Sequence, residues 1–78
     1  MNLSRNIHAV VFPSDGYYVA NCLEVAVVTQ GSTLDETLDN LREAVSLHLE
    51  DEDLAEIGLA DNPILSVVLE MELTDAAA

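Results

Sequence analysis

At Gln30-Gly31-Ser32-Thr33 the hydrophobic rhythm of the chain changes, and that change limits the folds open to it. Before this point, apolar residues come in short blocks rich in β-branched side chains. After it, Leu34, Leu38, Leu41, Val45 and Leu49 recur at three- and four-residue steps, with Ala44 beside them. Such steps place one stripe on an amphipathic helix. Thr33 is suited to cap it, and Glu36 stands three residues on. That is the spacing of a capping box, in which two side chains satisfy two otherwise unpaired amides. Asp35, Asp39, Arg42 and Glu43 fall on the outer face, and Asp35 and Glu36 complement the positive helix start. The carboxylates of Glu50–Glu56 sit badly at a helix's negative end. They predict a break near Glu50 and then a short second helical turn through Leu54 and Ile57, stopped at Gly58.

The blocks on either side read as strands. Leu3 to Phe12 is the first, and Pro13, which has no N–H to donate, marks its end. Ser14-Asp15-Gly16 is a hairpin turn in which Gly16 is free to take positive φ. Tyr17 to Cys22 is the second strand, and its two tyrosines straddle it, so one points away from the helix. After Glu24, Val25 to Gln30 is the third, closed by Gly31. Asn62 and Pro63 form a turn before the last strand, Ile64 to Leu73. Leu65, Val67, Leu69, Met71 and Leu73 share one face of it, while the other passes from Ile64 and Val68 to Glu70 and Glu72. The tail Thr74 to Ala78 is expected to fray. The order is β-β-β-α-β: an antiparallel meander, then a crossover helix whose right-handed path sets strand four parallel to strand one. The expectation is an α+β, two-layer β-β-β-α-β sandwich with a mixed sheet of order 3-2-1-4, helix on one face and edges that need cover.

Composition excludes several functions. The 78 residues read as one domain, with no separate DNA-binding domain. Asp and Glu number 15 against two arginines and no lysine, for a net charge of −13. Binding of nucleic acid or anionic lipid rests on cations this chain lacks, so neither is expected as a direct partner, whereas a basic protein would be steered in. The alternative reading is that the acidity only keeps the protein soluble, or reflects a salt-adapted or acid-biased proteome. Cys22 is the only cysteine, which rules out an intrachain disulfide and suits a reducing cytoplasm. The first dozen residues have neither the apolar core nor the cleavage site of a signal peptide.

No constellation of catalytic type emerges. Strand one holds no Asp or Glu, so the carboxylates that a two-metal hydrolase gathers on a first strand are missing. His8 has no ligand-type neighbours at suitable spacing, and His48 has only Asp51 and Glu52 beyond it, which suits a solvated helix end better than zinc. Cys22 reads as a small buried hydrophobe. Gly16, Gly31 and Gly58 are too far apart to cradle phosphate. No enzyme activity, cofactor or metal is expected.

Several of these residues also carry a family resemblance. Asp15, Gly16, Tyr18 and Val19, then Thr29, Gln30, Gly31 and Thr33, then Leu34, Glu36, Asn40, Glu43 and Ala44 resemble the D-G-x-Y/F-V, T-Q-G-x-T and L-x-E-A-x-x-N-x-x-E-A segments of the N-terminal domain of HicB-type antitoxins. The likeness spans about Val10 to Glu50. Cys22 to Val28 depart from it, since the family has a proline-containing segment there. The resemblance implies a partial RNase H-like fold without its active site, in a cytoplasmic toxin–antitoxin system. It implies binding to HicA, a small basic mRNA-cleaving toxin with a double-stranded-RNA-binding-like fold and an active-site histidine. The family's C-terminal ribbon-helix-helix or helix-turn-helix domain, through which it commonly regulates its own operon, has no counterpart in these residues. Asp35, Asp39, Glu43, Glu50, Asp51, Glu52 and Asp53 are the expected contacts to a basic toxin. Leu65, Val67, Leu69 and Met71 are expected to mediate self-association. The alternative is an orphan HicB-like homo-oligomeric binding or regulatory module with no toxin partner.

Overall fold

A computed structural model describes residues 3–73. Five elements follow in the order β1 (Ser4–Ser14), β2 (Tyr17–Cys22), β3 (Val28–Gly31), α1 (Leu34–Glu50) and β4 (Leu59–Leu69). The four strands form one mixed sheet of order β3-β2-β1-β4, with α1 across one face. The class, element order and strand order agree with the sequence reading. The tail expected to fray, residues 74–78, lies outside the described residues.

The hairpin between β1 and β2 is a two-residue loop: Ser14 stands opposite Tyr17, and both Asp15 and Gly16 take positive φ, at 49° and 87°. That is the backbone a type I′ turn needs, and its twist matches the flanking strands. The register then sends Ile7, Ala9 and Val11 of β1 to the same face as Ala20 and Cys22 of β2. These residues meet Leu41 and Val45 of α1, with Val25, Val27 and Leu59 closing the core. Most of its side chains are small, so few residues supply most of its apolar volume. Tyr18 packs against this core. Tyr17, of opposite parity, lies on the uncovered face, as expected for one of the pair.

The start of α1 is held closely to β3. The Thr33 hydroxyl accepts from the Glu36 amide at 3.1 Å, while Glu36 Oε1 accepts from the Ser32 amide at 2.8 Å. The box therefore closes one residue further back than the simplest form. Asn40 Nδ2 donates to the Gln30 carbonyl at 2.9 Å. Thr37 is fully buried, with its hydroxyl satisfied by donation to the Thr33 carbonyl at 2.7 Å. Gly31 lies so near that a Cβ there would stand 2.6 Å from Thr37 Oγ1 and 2.7 Å from Thr37 N. Glycine is required at this position by space.

Three expectations need correction. Pro13 does not end β1, which runs to Ser14 with Pro13 opposite Tyr18. The Glu70 amide donates to the Val11 carbonyl at 2.8 Å, so odd-numbered residues of this part of β1 turn their backbone toward β4. The missing N–H of Pro13 thus costs the β1–β2 ladder nothing. It is β4 that stops, at Leu69 rather than Leu73, where Pro13 has no amide to extend the parallel ladder. Secondly, β3 is Val28–Gly31 rather than Val25 to Gln30. Val25 to Val27 instead form a tight turn, with the Val27 amide donating to the Val25 carbonyl at 2.8 Å and both side chains buried. Thirdly, the turn at Asn62-Pro63 lies inside a strand that begins at Leu59. Between Ser4–Leu59 and Asn6–Ile64, β1 advances two residues while β4 advances five, and Asn62 takes positive φ to let the excess bulge out. α1 ends at Glu50 as expected, and the short turn expected through Leu54 and Ile57 follows: the Glu56 amide donates to the Asp53 carbonyl at 3.0 Å, the Gly58 amide to the Ala55 carbonyl at 3.1 Å and the Leu59 amide to the Leu54 carbonyl at 2.8 Å, with Gly58 stopping it at a φ of 82°.

Candidate protein-docking surfaces

The acids expected to contact a partner are all exposed: Asp35, Asp39 and Glu43 on the outer face of α1, and Glu50 to Asp53 at its C-terminal end. Helical spacing lines up Asp35, Asp39 and Glu43 at four-residue steps, and Glu50, seven residues beyond Glu43, returns to the same side two turns later. Asp53 also folds back on its own turn, accepting from the Ala55 amide at 3.1 Å. Among the described residues the one ion pair is elsewhere, between His8 and Glu24, so these carboxylates have no cationic partner there.

The His8–Glu24 contact is not evident in the sequence. Glu24 Oε1 accepts from the His8 amide at 2.7 Å, and Oε2 meets His8 Nδ1 at 2.5 Å. The Leu23 amide donates to the His8 carbonyl at 2.9 Å. Together they pin the β2–β3 connection onto β1. The backbone amide of His8, and then its ring, hold the Glu24 carboxyl below the ordinary carboxylate range. A depressed folded-state value means that the contact stabilises the fold above the unfolded carboxylate range and is lost as pH falls through the lower, folded value. Glu24→Gln is therefore expected to lower the urea midpoint at pH 7, with the difference from wild type closing as pH falls below the ordinary carboxylate range. A gap that stayed constant with pH would remove the charged hydrogen bonds as its cause.

Cys22 is buried, and desolvation followed by the Glu24 carboxylate raises its thiol pKa. It is a poor thiolate source. Among the described residues no three of His, Cys, Asp and Glu gather as metal ligands would. Among the described residues no helix is long and apolar enough to cross a membrane.

Two apolar surfaces stay uncovered. α1 packs chiefly on β3 and β2, so the β4 side of the same sheet face is left open. The result is a groove of about 680 Å³ between Leu38, Val45 and Leu49 of α1, Leu54, and Leu65 and Val67 of β4. Arg42 and Glu50 of α1 and the bulge residues Asn62 and Pro63 also line it. Of the residues expected to self-associate, Leu65 lies half-buried against the core while Val67, Leu69 and Met71 are exposed. On the opposite sheet face, Val28, Ile64 and Val68 are exposed, with Val10, Phe12 and Val19 half-buried between them. No protein-family model, curated protein or solved structure matches this chain.

Proposed function

We propose that the protein is a HicB-like antitoxin that neutralises a small, basic, HicA-type mRNA-cleaving toxin by direct contact in the cytoplasm. In this reading the β-β-β-α-β unit is a partial RNase H-like scaffold, and its role is to bind rather than to catalyse. The observation that carries the proposal is the exposed acidic band along α1 and its C-terminal end, which meets no cationic partner among the described residues. Such a field raises the encounter rate with a cationic protein and covers the surface that the toxin offers to RNA. The bare β4 edge favours a second reading, a stand-alone homo-oligomeric module with no toxin partner.

Copurification with the product of a neighbouring small basic reading frame tests the first reading. The expected complex forms at low salt and weakens steadily as sodium chloride is raised. The triple variant Asp39→Lys, Glu43→Lys, Glu50→Lys is expected to slow association by about tenfold or more. Failure to capture any basic neighbour, by a protein that is otherwise folded, would sink the toxin reading.

A further inference from the structure

β4 is an edge strand whose free side is built for pairing. Because Glu70 turns its amide to β1, the odd-numbered residues Leu65, Val67 and Leu69 turn their N–H and C=O groups outward, where no strand among the described residues meets them. The side chains beside that edge are apolar. Val68 is 59% exposed, Met71 71% and Leu73 78%, and Ile64, Val67 and Leu69 are exposed as well. These residues present on the order of 500 Å² of apolar surface, as large as the biggest patches on ordinary monomers and approaching one side of a standard interface.

We infer that a second copy of this chain covers this edge, pairing β4 antiparallel with β4 about a two-fold axis at Val68. Antiparallel pairing joins outward-turned residues to outward-turned residues, so odd positions must face odd positions. With the axis at Val68, Val67 faces Leu69 of the partner subunit and Leu65 faces Met71 of the partner subunit. Pro63 faces Leu73 of the partner subunit. Every pair on the helix side is then apolar. On the other face Ser66 lies opposite Glu70 of the partner subunit, and Ile64 opposite Glu72 of the partner subunit. No carboxylate meets a carboxylate, although each copy carries a charge of −13.

The same register fills the groove. Pro63, Leu65 and Val67 form its sheet wall, and Met71 and Leu73 of the partner subunit arrive beside them. This accounts for two large apolar residues lying beyond the end of the β1–β4 ladder: their cover is on the other copy. The two subunits exchange the same contact, and the two sheets join into one. Since the interface is apolar and the copies repel each other, added salt strengthens this association. Binding to a basic toxin responds in the opposite sense, so either can fail without the other.

Sedimentation velocity at about 10 μM protein in low and high salt, together with cysteine cross-linking, tests the inference. The expected species is a dimer whose dissociation constant falls as salt is raised. At a non-hydrogen-bonded antiparallel pair the two Cβ atoms stand about 4.5–5.5 Å apart, close to disulfide reach. Val68→Cys is therefore expected to give a covalent dimer on mild oxidation, and Ser66→Cys to give none. Leu69→Lys, at an exposed position, is expected to weaken the dimer by about tenfold or more with an unchanged circular dichroism spectrum. A monomer at about 100 μM, or a dimer that Val68→Cys does not cross-link, would overturn the inference.

Discussion

Leu41→Ala is expected to destabilise the protein by about 3 kcal/mol and to lower its melting temperature by roughly 12–24 °C. Leu41 is completely buried and is one of the few large side chains in a core otherwise made of valine, alanine and cysteine. It shares the buried cluster with Ile7 and Val11 of β1. Truncation removes several methyl and methylene groups' worth of burial and leaves a cavity that valines and alanines cannot fill. A domain of this size has only about 5–8 kcal/mol of stability to lose. Leu47→Ala, on the exposed side of the same helix, is expected to stay within about 0.5 kcal/mol of wild type. Urea titrations of the two variants measure the contrast. A Leu41 variant that lost less than about 1 kcal/mol would mean that α1 is not seated through this residue.

Gly31→Ala is expected to cost a similar amount, about 3 kcal/mol, for a different reason. The added methyl would stand 2.6 Å from Thr37 Oγ1, 2.7 Å from Thr37 N and 3.0 Å from Thr37 Cα. A hydroxyl can rotate away, but two of those atoms belong to the backbone of α1. The first turn of the helix must shift, and with it the Thr33–Glu36 box and the Asn40 contact to β3. The double variant Gly31→Ala, Thr37→Ala separates the two contributions. It is expected to recover only a minor part of the loss, because the backbone contacts remain. Full recovery would assign the whole effect to the Thr37 side chain.

Local signals were legible in the sequence where they act within a few residues. Thr33 and Glu36 marked the helix start, Asp15-Gly16 marked the hairpin, and the leucine stripe marked the buried face of α1. Charged residues were equally readable, since the carboxylates of α1 are exposed as their place on the outer face required. Pro13 shows where such reasoning falls short. A proline without an amide does terminate a ladder, but which ladder depends on the direction that amide would have faced. Here it faces β4, more than fifty residues further along the chain. Val25 and Val27 alternate with Ala26 as strand residues do, yet they fold over the core because the β2–β3 connection needs a tight turn there. The Glu24–His8 contact spans 16 residues and has no periodic signature. The groove was not readable for a similar reason: it arises from the placement of α1 over β3 and β2, which no residue pattern encodes by itself.

The parallel pairing of β1 with β4 sets a condition on biosynthesis. Ala9 stands beside Val67, so β1, an inner strand of the finished sheet, obtains one of its two neighbours from an element made more than forty residues after it. Until then β1 has an open flank, and Ile7 and Val11 lack the cover of Leu65 and Leu69. The nascent chain therefore passes through a stage in which an apolar inner strand is a bare template, a natural client for a holding chaperone. A message cut short before Leu59 would leave its product in that state, exposed to proteolytic clearance.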